Sequence, residues 1–493
     1  MEKGTPAVKI NEGDNVVVVL KSVTSGEEVF GITAQSDIPM GHKMALDAIA
    51  KGEKVVKYGY PIGQAVAEIR PGEHVHTHNV RTNLSGILNY EYQPEPLPVI
   101  PAKDGTFRGF VRENGSVGIR NEIWIVNTVG CVNKIAEKVS VIANERYAGR
   151  IDGVFTFVHP FGCSQLGDDL AHTQMVLKNM VNHPNAGGVL VLGLGCENNN
   201  IPDFKQVLGE WNDRRVKFLN AQDVQDEVEV SLALIDGLVR YAETFKRQDV
   251  SLSRLVIGLK CGGSDGFSGI TANPLVGKLS DMLIAHGGSS VLTEVPEMFG
   301  AETILMNRCI NKEVFEKTVR LINGFKQYFM RHDQEIYENP SPGNKDGGIS
   351  TLEDKSLGCT QKGGCSGVVD VLDYGEVVQK HGLNLLQGPG NDIVAVTNMM
   401  SAGVHIVLFT TGRGTPLGAP VPTVKISSNS QLASHKAGWI DFDAGVLLEN
   451  TSMDTLAEDF FRYIVSVAGG EVLTKNEVNG YREIAIFKTG VTV

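Results

Sequence analysis

Alternating histidines are the first feature of this sequence that has the spacing of a chemical site. The segment GEHVHTHN contains His74, His76 and His78. In a strand, side chains at alternate positions share one face, so these three imidazoles are expected to lie side by side. Because imidazole binds iron, zinc and manganese, we predict a divalent metal site here, joined by His42 from the glycine-flanked turn MGHKMAL. The alternative is a polar strand edge that faces solvent.

Three apolar runs end at the same dipeptide, Gly-Cys. The runs are IWIVNTVGC, GVFTFVHPFGC and GVLVLGLGC, which end at Cys131, Cys163 and Cys196. Runs rich in Val, Ile, Phe and Leu, with helix-like segments between them, predict buried parallel strands joined by crossover helices. Open α/β sheets bind ligands beyond the carboxyl ends of their strands, so we expect the three thiols near one mouth.

These thiols have two interpretations. Thiolates that converge on one crevice can hold an iron-sulfur cluster or a single soft metal ion. Cysteine also packs as a small hydrophobic residue where a strand meets a loop, and this interpretation is preferred because no close ligand spacing supports a cluster. The polar residues that follow the thiols are better candidates for binding a polyhydroxylated ligand: Ser164, Gln165, Glu197 and Asn198.

Three loops that follow other predicted strands carry residues suited to proton transfer and anion binding. In KCGGSDGFSGITANP the glycines let backbone N–H groups approach an anion, and Asp265, beside Ser264, can act as acid, base or hydroxyl acceptor. In TTGRGTP, Arg413 can form a two-pronged contact with a carboxylate. In TEVPEMFG, Glu294 and Glu297 are each a candidate general base or metal ligand. The structural alternatives are a tight turn, a solvated arginine and a helix N-cap.

Residues 338–364 form a long segment that is rich in glycine and proline and poor in apolar residues. Segments of this kind inside a compact domain are usually functional or disordered. Most lysines in such a segment are solvated, and we expect the same of Lys355. Lys362 is nevertheless a third candidate for proton transfer, together with Asp265 and Glu294.

The elements that must position these residues indicate a multidomain α/β protein. Short strand patterns, with one helical patch at KMALDAIAKG, predict a small β-rich domain over residues 1–90, and a proline-rich linker follows over residues 91–106. Alternating strands and helices predict one α/β domain over residues 107–248 and a second over residues 249–493, both with largely parallel sheets. EVFEKTVRLINGFKQYFMRHDQ is the longest predicted helix.

Composition excludes several classes of function. The chain has 493 residues, a formal net charge of −12 and no block of Lys or Arg, which argues against binding to nucleic acid or to an anionic membrane. We find neither a signal peptide nor an apolar run long enough to span a membrane, and therefore expect a cytoplasmic protein. Seven cysteines without a secretory signal indicate reduced thiols rather than disulfides.

Many long motifs in fixed order resemble the altronate and galactarate dehydratase family. They include GHKMALDAIAKGEKVVKYGYPIG, GEHVHTHNVRTNLS, FGCSQLGDD, GVLVLGLGCENN, CGGSDGFSGITANP, LTEVPEMFGAE, YENPSPGNKDGGISTLEDKSLGCTQKGG and TTGRGTP, and they cover essentially the whole chain. The resemblance implies an N-terminal β-clip domain of the SAF type followed by α/β domains. It also implies loss of water from a sugar acid, D-altronate giving 2-dehydro-3-deoxy-D-gluconate, with Fe²⁺ or alternatively Mn²⁺ as the metal. We also expect a homo-oligomer, specifically a dimer.

This chemistry suits the residue types. The proton alpha to a carboxylate is weakly acidic, so the dianion that develops on its removal needs a metal or a cationic group beside it. We expect the histidines to place the metal, Arg413 to hold the carboxylate, and Asp265 or Glu294 to transfer protons. The alternatives are a dehydratase for galactarate or a related aldarate, an iron-sulfur hydro-lyase that uses the Gly-Cys strand ends, and a non-catalytic sugar-acid sensor. The lack of a DNA-binding helix pair disfavours the sensor.

Overall fold

The computed structural model describes residues 6–449 and 451–490. Its N-terminal part consists of short antiparallel strands, as the sequence predicts. Two small sheets run in the orders β1-β2-β5-β8 and β6-β7-β9, and β3 pairs with β4. The bounds are β1 Ala7–Val8, β2 Val16–Val19, β3 Glu28–Val29, β4 Ile32–Thr33, β5 Lys43–Ala45, β6 Lys54–Lys57, β7 Tyr60–Ala65, β8 His74–Val75 and β9 Val80–Arg81.

The prediction of a helix at KMALDAIAKG is wrong. Lys43–Ala45 is strand β5, which pairs with β2 on one side and β8 on the other, and Ile49 forms an isolated bridge to Ile69. Pairing on both sides supplies hydrogen bonds that an isolated helix of this length cannot match, so tertiary contacts override local helix propensity. Strand β8 also ends earlier than expected, at Val75, and the turn that follows contains His78.

The middle of the chain forms a small parallel sheet with helices between its strands. The strand order is β13-β12-β14-β15, and every pairing is parallel. The bounds are β10 Thr106–Val111, β11 Val117–Gly118, β12 Glu122–Asn127, α1 Asn133–Arg146, β13 Val154–Thr156, α2 Gly167–Asn182, β14 Ala186–Gly193, α3 Ile201–Leu208, β15 Val216–Asn220, α4 Glu227–Ala242 and β16 Arg247–Ser251. All of β14 is buried, which explains its continuous apolar run.

The C-terminal part contains a large parallel sheet in the order β19-β20-β18-β17-β21-β22-β23. The strands are β17 Val256–Cys261, β18 Ser289–Leu292, β19 Val368–Leu372, β20 Gly382–Leu386, β21 Ile406–Thr411, β22 Thr423–Ser427 and β23 Phe442–Asp443. The helices are α5 Ala272–Ala285, α6 Glu302–Met306, α7 Lys312–Arg331, α8 Pro342–Asp346, α9 Leu352–Cys359, α10 Asp392–Ser401, α11 Ser430–His435, α12 Met453–Gly469 and α13 Lys475–Asn479. Helix α7 is the long helix that the sequence predicts.

Strand order in the large sheet defines where a ligand can bind. From β17 the chain adds β18 on one side, continues to β19 and β20 beyond it, and then returns to place β21 on the other side of β17. The order therefore reverses at β17, and a crevice opens beyond the carboxyl ends of β17, β18 and β21. The loops that carry Asp265, Glu294 and Arg413 begin at those three strand ends.

Buried ion pairs attach the N-terminal strands to the C-terminal part. Lys43 Nζ lies 2.8 Å from Asp354 Oδ2, and Lys57 Nζ lies 3.0 Å from Asp354 Oδ1. Asp354 and Lys43 are completely buried. Although burial opposes ionisation of the carboxyl, the two ammonium groups hold the pKa of Asp354 far below its usual range. One carboxylate from α9 therefore pairs with two cations, one from β5 and one from β6.

Two glycines allow the backbones to approach closely at this contact. A Cβ atom on Gly266 would lie 1.9 Å from the carbonyl oxygen of Gly41, and a Cβ atom on Gly348 would lie 2.3 Å from the same oxygen. Gly348 also has a φ of +100°, which other residues rarely adopt. The glycine-rich loop thus serves close packing between the two parts of the chain.

Replacing Asp354 with Ala tests this contact. The variant leaves two buried ammonium groups without a carboxylate, so we expect the free energy of unfolding to fall by about 3–5 kcal/mol. Urea unfolding followed by circular dichroism measures the change. Asp249→Ala is the control, because Asp249 and its partner Arg108 are largely exposed and 3.7 Å apart. Equal stability of the two variants would contradict the role of Asp354.

Candidate active site

Two polar clefts flank the loop of residues 261–265 at the switch point of the large sheet. The arginine cleft has a volume of about 680 Å³ and is lined by residues that include Gly41, Asp265, Asp346, Arg413 and Asn429. The lysine cleft has a volume of about 620 Å³ and is lined by residues that include Cys261, Glu297, Asn344, Lys355 and Thr415. The N-terminal strands contribute Met40 and Gly41 to the arginine cleft.

Asp265 is held rigidly in the wall of the arginine cleft. Its Oδ1 accepts hydrogen bonds from Ser268 N at 2.9 Å, Ser268 Oγ at 2.9 Å and Ser428 Oγ at 2.8 Å, and a longer one from Phe267 N. Its Oδ2 accepts one hydrogen bond, from Asn429 Nδ2 at 3.0 Å. Oδ2 therefore keeps the capacity to accept a further proton or hydroxyl group.

Arg413 presents a free cation to the same cleft. Its backbone N–H donates to Thr411 Oγ1. Within residues 6–449 and 451–490 its guanidinium forms neither a hydrogen bond nor an ion pair, and the side chain is exposed. An unpaired guanidinium in a polar cleft is suited to two-pronged binding of a carboxylate.

His42, His74 and His76 form the histidine cluster. One ring nitrogen from each lies within 4.8 Å of the others, and His42 Nδ1 is 3.0 Å from His74 Nε2. His42 Nε2 lies 3.2 Å from the carbonyl oxygen of Asp346, a residue that lines the arginine cleft. This contact fixes the ring when Nε2 donates, which leaves Nδ1 as an acceptor facing the cluster.

The histidine cluster has the properties of a ligand set for a divalent cation. Burial lowers the pKa of His42, lowers that of His74 to about 4 and lowers that of His76 to about 3, so the imidazoles remain neutral at pH 7. His76 Nδ1 is buried without a hydrogen-bond partner. His78 lies outside the cluster on the exposed turn, with its ring 5.4 Å from that of His74.

The lysine cleft opens onto the thiol cluster, which consists of Cys261, Cys359 and Glu297. One ligand atom from each lies within 4.8 Å of the others. Lys355 Nζ lies 2.8 Å from Glu297 Oε1, and Cys359 Sγ donates to Glu297 Oε2 at 3.1 Å. Although burial opposes ionisation, the charges of Lys355 and other lysines lower the pKa of Glu297 to about 2. These ammonium groups disfavour a metal cation here.

Glu294 and Lys362, two residues predicted to transfer protons, lie behind the lysine cleft. Glu294 is buried, forms an ion pair with Lys260 and accepts a hydrogen bond from Cys261 N at 2.8 Å. Burial and the nearby Glu297 raise the pKa of Glu294 to about 8. Lys362 is also buried, where the charges of the surrounding thiols and carboxylates raise its pKa despite desolvation. Neither residue lines the two clefts.

Ser264, a predicted substrate-binding residue, also lies beside the thiol cluster. Its Oγ is 2.5 Å from Cys261 Sγ, and its carbonyl oxygen accepts a hydrogen bond from Asn344 Nδ2 at 2.9 Å. The side chain is buried, so its contact is with the thiol.

The Gly-Cys loops form a separate mouth at the small parallel sheet. Gly130 N donates to the carbonyl oxygen of Phe161, and Ser164 N donates to Asn198 Oδ1 at 2.7 Å, so the loops meet as predicted. Gln165 Oε1 accepts a hydrogen bond from Gly162 N at 3.2 Å. The four polar residues predicted to bind substrate there, Ser164, Gln165, Glu197 and Asn198, do not line the two clefts of the large sheet.

The three thiols at this mouth are exposed and free: Cys131, Cys163 and Cys196. Among the residues that the structure describes, two groups of His, Cys, Asp or Glu have three ligand atoms within 4.8 Å of one another, namely the histidine cluster and the thiol cluster. Neither group includes any of these thiols.

Sequence reasoning did not identify Cys261, Glu297 and Lys355 as one site. The signal available for the first two was their position just after predicted strands, the same signal that drew attention to the Gly-Cys ends. Lys355 carried no such signal, because its segment looks like a solvated loop. In the structure that segment contains α8 and α9, and every residue of α9 is buried.

The α/β fold places two polar clefts beyond the strand ends at the switch point of a parallel sheet. Residues 5–83 match the altronate/galactarate dehydratase SAF domain, residues 109–243 match the second domain of D-galactarate dehydratase/altronate hydrolase, and residues 252–492 match the C-terminal domain of D-galactarate/altronate dehydratase. The expected SAF domain and the α/β fold class are thereby confirmed.

Similar proteins cover nearly the whole chain. It is 55% identical to altronate dehydratase of Bacillus subtilis and 54% identical to altronate dehydratase of Escherichia coli, in each case over 99% of both chains. It is 31% identical to galactarate dehydratase (L-threo-forming) of Escherichia coli, over 97% of this chain and 96% of that one. The chain therefore belongs to the altronate and galactarate dehydratase family and is a hydro-lyase. No helix in the described part of the chain could cross a membrane.

Glu197→Gln tests whether Glu197 contacts substrate. The carboxylate accepts hydrogen bonds from Thr128 Oγ1 at 2.6 Å, Leu194 N at 3.0 Å and Gly195 N at 2.6 Å. A glutamine cannot accept all three, so we expect a loss of about 1–3 kcal/mol in unfolding free energy and an unchanged KM. Urea unfolding and steady-state kinetics measure both, with the exposed Gln222→Ala as control. A raised KM at unchanged stability would instead make Glu197 a substrate contact.

Proposed function

We propose that this enzyme removes water from D-altronate to give 2-dehydro-3-deoxy-D-gluconate, with Fe²⁺, or alternatively Mn²⁺, bound at the histidine cluster. The substrate rests on the two altronate dehydratases, which share 54–55% identity with the chain, against 31% for the galactarate dehydratase. The observation that carries the site is a neutral histidine cluster with an unpaired buried nitrogen, which His42 joins to Asp346 in the lining of a cleft that presents a free arginine.

The assignment of the metal to the histidine cluster rests on the type of ligand atoms that the cluster provides. His42, His74 and His76 supply three neutral imidazole nitrogens, a ligand type that suits iron and manganese. The buried Nδ1 of His76 has no partner in the protein, and a buried polar atom is normally satisfied. A bound divalent cation supplies Lewis-acid stabilisation of the negative charge that develops when the alpha proton of a sugar acid leaves.

Arg413 is placed to bind the substrate carboxylate. Its guanidinium is free and lines the arginine cleft together with Asp265 and Asn429. A net charge of −12 disfavours an anionic substrate at long range, so a local cation is needed to hold it. Binding through both oxygens also orients the neighbouring C2–H bond toward one wall of the cleft.

Asp265 is the carboxylate best placed to move a proton. Its Oδ1 is fully occupied, whereas Oδ2 has one hydrogen bond and faces a cleft of suitable size for a six-carbon acid. Rigid positioning favours proton transfer because the base does not have to be reoriented in the transition state. Lys355, paired with Glu297 in the neighbouring cleft, stays protonated and contributes positive charge beside the site. Glu294 and Lys362, which lie behind the lysine cleft, contribute to the electrostatic potential around these residues.

His76→Ala tests the metal site. We expect Mn²⁺ affinity, measured by isothermal titration calorimetry, to fall at least tenfold and metal-dependent formation of 2-keto acid to be lost, because one of three ligands is removed. Circular dichroism should show an intact fold. His381→Ala, on an exposed histidine, is the control. Full metal-dependent turnover by the His76 variant would remove the histidine cluster from the mechanism.

A visible absorption spectrum of the metal-loaded enzyme separates mononuclear iron from the iron-sulfur alternative. An iron-sulfur charge-transfer band that disappears in Cys163→Ser would move the reaction to the Gly-Cys loops.

Arg413→Met tests carboxylate binding. Loss of a charge-assisted hydrogen bond is worth about 1.5–3 kcal/mol, so we expect KM for D-altronate to rise roughly 10–150-fold, with metal affinity unchanged. A panel of aldonic and aldaric acids measures the preference of both enzymes, and the exposed Arg214→Met is the control. An unchanged KM would place the carboxylate elsewhere, and a preference for galactarate would identify the aldarate alternative.

A further inference from the structure

Two buried cysteines face each other beside the lysine cleft, and the proposed reaction uses neither. Cys261 ends strand β17 and lines the cleft, whereas Cys359 ends helix α9. Their sulfur atoms lie within 4.8 Å of each other. The two residues are 98 positions apart in sequence, so only the fold brings the thiols together.

The surroundings of Cys261 favour the thiolate over the thiol. Ser264 Oγ lies 2.5 Å from Cys261 Sγ, and the buried ammonium groups of Lys355 and Lys362 are close by. The neighbouring Cys359 is the largest cause that lowers the pKa of Cys261, to about 6, against the opposing effect of burial, and the charge of Lys362 adds to this lowering. The thiolate is the form of cysteine that reacts with oxidants.

Cys359 has the complementary properties. Its pKa is raised well above the usual value, first by the neighbouring Cys261 and then by burial. Its thiol proton lies within reach of the ionised Glu297, whose Oε2 is 3.1 Å from Cys359 Sγ. The pair thus consists of a reactive thiolate at a cleft and a protonated thiol with a nearby proton acceptor, the usual arrangement of a redox-sensitive dithiol.

We propose that Cys261 and Cys359 are an oxidation site, at which a hydroperoxide oxidises Cys261 and Cys359 then forms a disulfide with it. This site is independent of the proposed dehydration. The lysine cleft provides the route for a small peroxide to Cys261 Sγ. The sulfur atoms are at most 4.8 Å apart and approach to about 2 Å in the disulfide.

The chemistry balances in two steps. The Cys261 thiolate attacks one oxygen of hydrogen peroxide, the O–O bond breaks, and a sulfenic acid and hydroxide form. The Cys359 sulfur then attacks the sulfenic sulfur, and the S–O bond breaks. This second step releases a second hydroxide. One hydroxide takes up the Cys359 proton by way of Glu297, and the other takes up the proton that Cys261 released when it became a thiolate. Two thiols lose two electrons in total, and one peroxide becomes two waters.

Peptide mass spectrometry after brief peroxide treatment tests the proposal. The reduced full-length protein is first stripped of metal with a chelator, so that iron bound elsewhere cannot generate radicals. Free thiols are then alkylated, and the protein is digested without reductant. We expect a linked peptide pair containing Cys261 and Cys359, two hydrogens lighter than the separate thiol peptides and separated by dithiothreitol.

Cys309 provides the matched internal control. Its thiol is also buried, contacts Leu305 and Thr318, does not line the lysine cleft, and has a pKa raised by burial. We expect Cys261 to be oxidised at least tenfold faster than Cys309. In Cys359→Ser, Cys261 should stop at a sulfenic acid that dimedone traps, whereas Cys309→Ser should form the disulfide as wild type does.

Three results would overturn the proposal. The first is oxidation of Cys261 at the rate of Cys309. The second is an oxidised Cys261 that is never linked to Cys359 in the wild-type protein. The third is a Cys261 disulfide found only with an exposed cysteine of another molecule. The wild-type digest decides all three, so the proposal remains testable even if the Cys359 variant does not fold.

Discussion

The buried contact of Asp354 with Lys43 and Lys57 is the interaction on which the site depends. Removing three charges from water is costly, and only accurate pairing offsets that cost. Asp354 lies on α9, between residues that line the two clefts, while Lys43 lies on β5, next to His42. The ion pairs therefore fix the N-terminal strands in one orientation. This orientation places the histidine cluster against Asp346 and the arginine cleft.

Most charged groups at the switch point are paired with an opposite charge or surrounded by hydrogen-bond donors. Lys260 pairs with Glu294 and Asp392, Lys355 pairs with Glu297, and the carboxylate of Asp265 is surrounded by donors. In a region of low dielectric, groups satisfied in this way are fixed rather than reactive. Chemistry is left to the groups that retain free capacity. These are Arg413, Oδ2 of Asp265 and Nδ1 of His76 in the proposed reaction, and the Cys261 thiolate in the proposed oxidation.

Much of the fold was predictable because its elements carry local signals. Continuous apolar runs predicted the parallel strands β12, β13 and β14, which end before the Gly-Cys dipeptides rather than at them, and the longest predicted helix is α7. The prediction failed where the local sequence pattern indicated one structure but contacts with distant residues imposed another. KMALDAIAKG has the spacing of a helix, yet β2 and β8 pair with its first residues and make them a strand. Residues 338–364 resemble a solvated loop, yet they contain α8 and the buried helix α9.

The sequence by itself determined the α/β class, the β-rich N-terminal part and the residue types available for chemistry: imidazoles, a glycine-flanked arginine and carboxylates at strand ends. Only the tertiary structure decided how these residues are grouped. It joined His42 to His74 and His76 but left His78 outside, brought Cys261 to Cys359, and separated the Gly-Cys mouth from the clefts of the large sheet. The physical reason is that local propensity depends on near neighbours in sequence. Site geometry depends instead on strand order and on buried contacts between residues hundreds of positions apart.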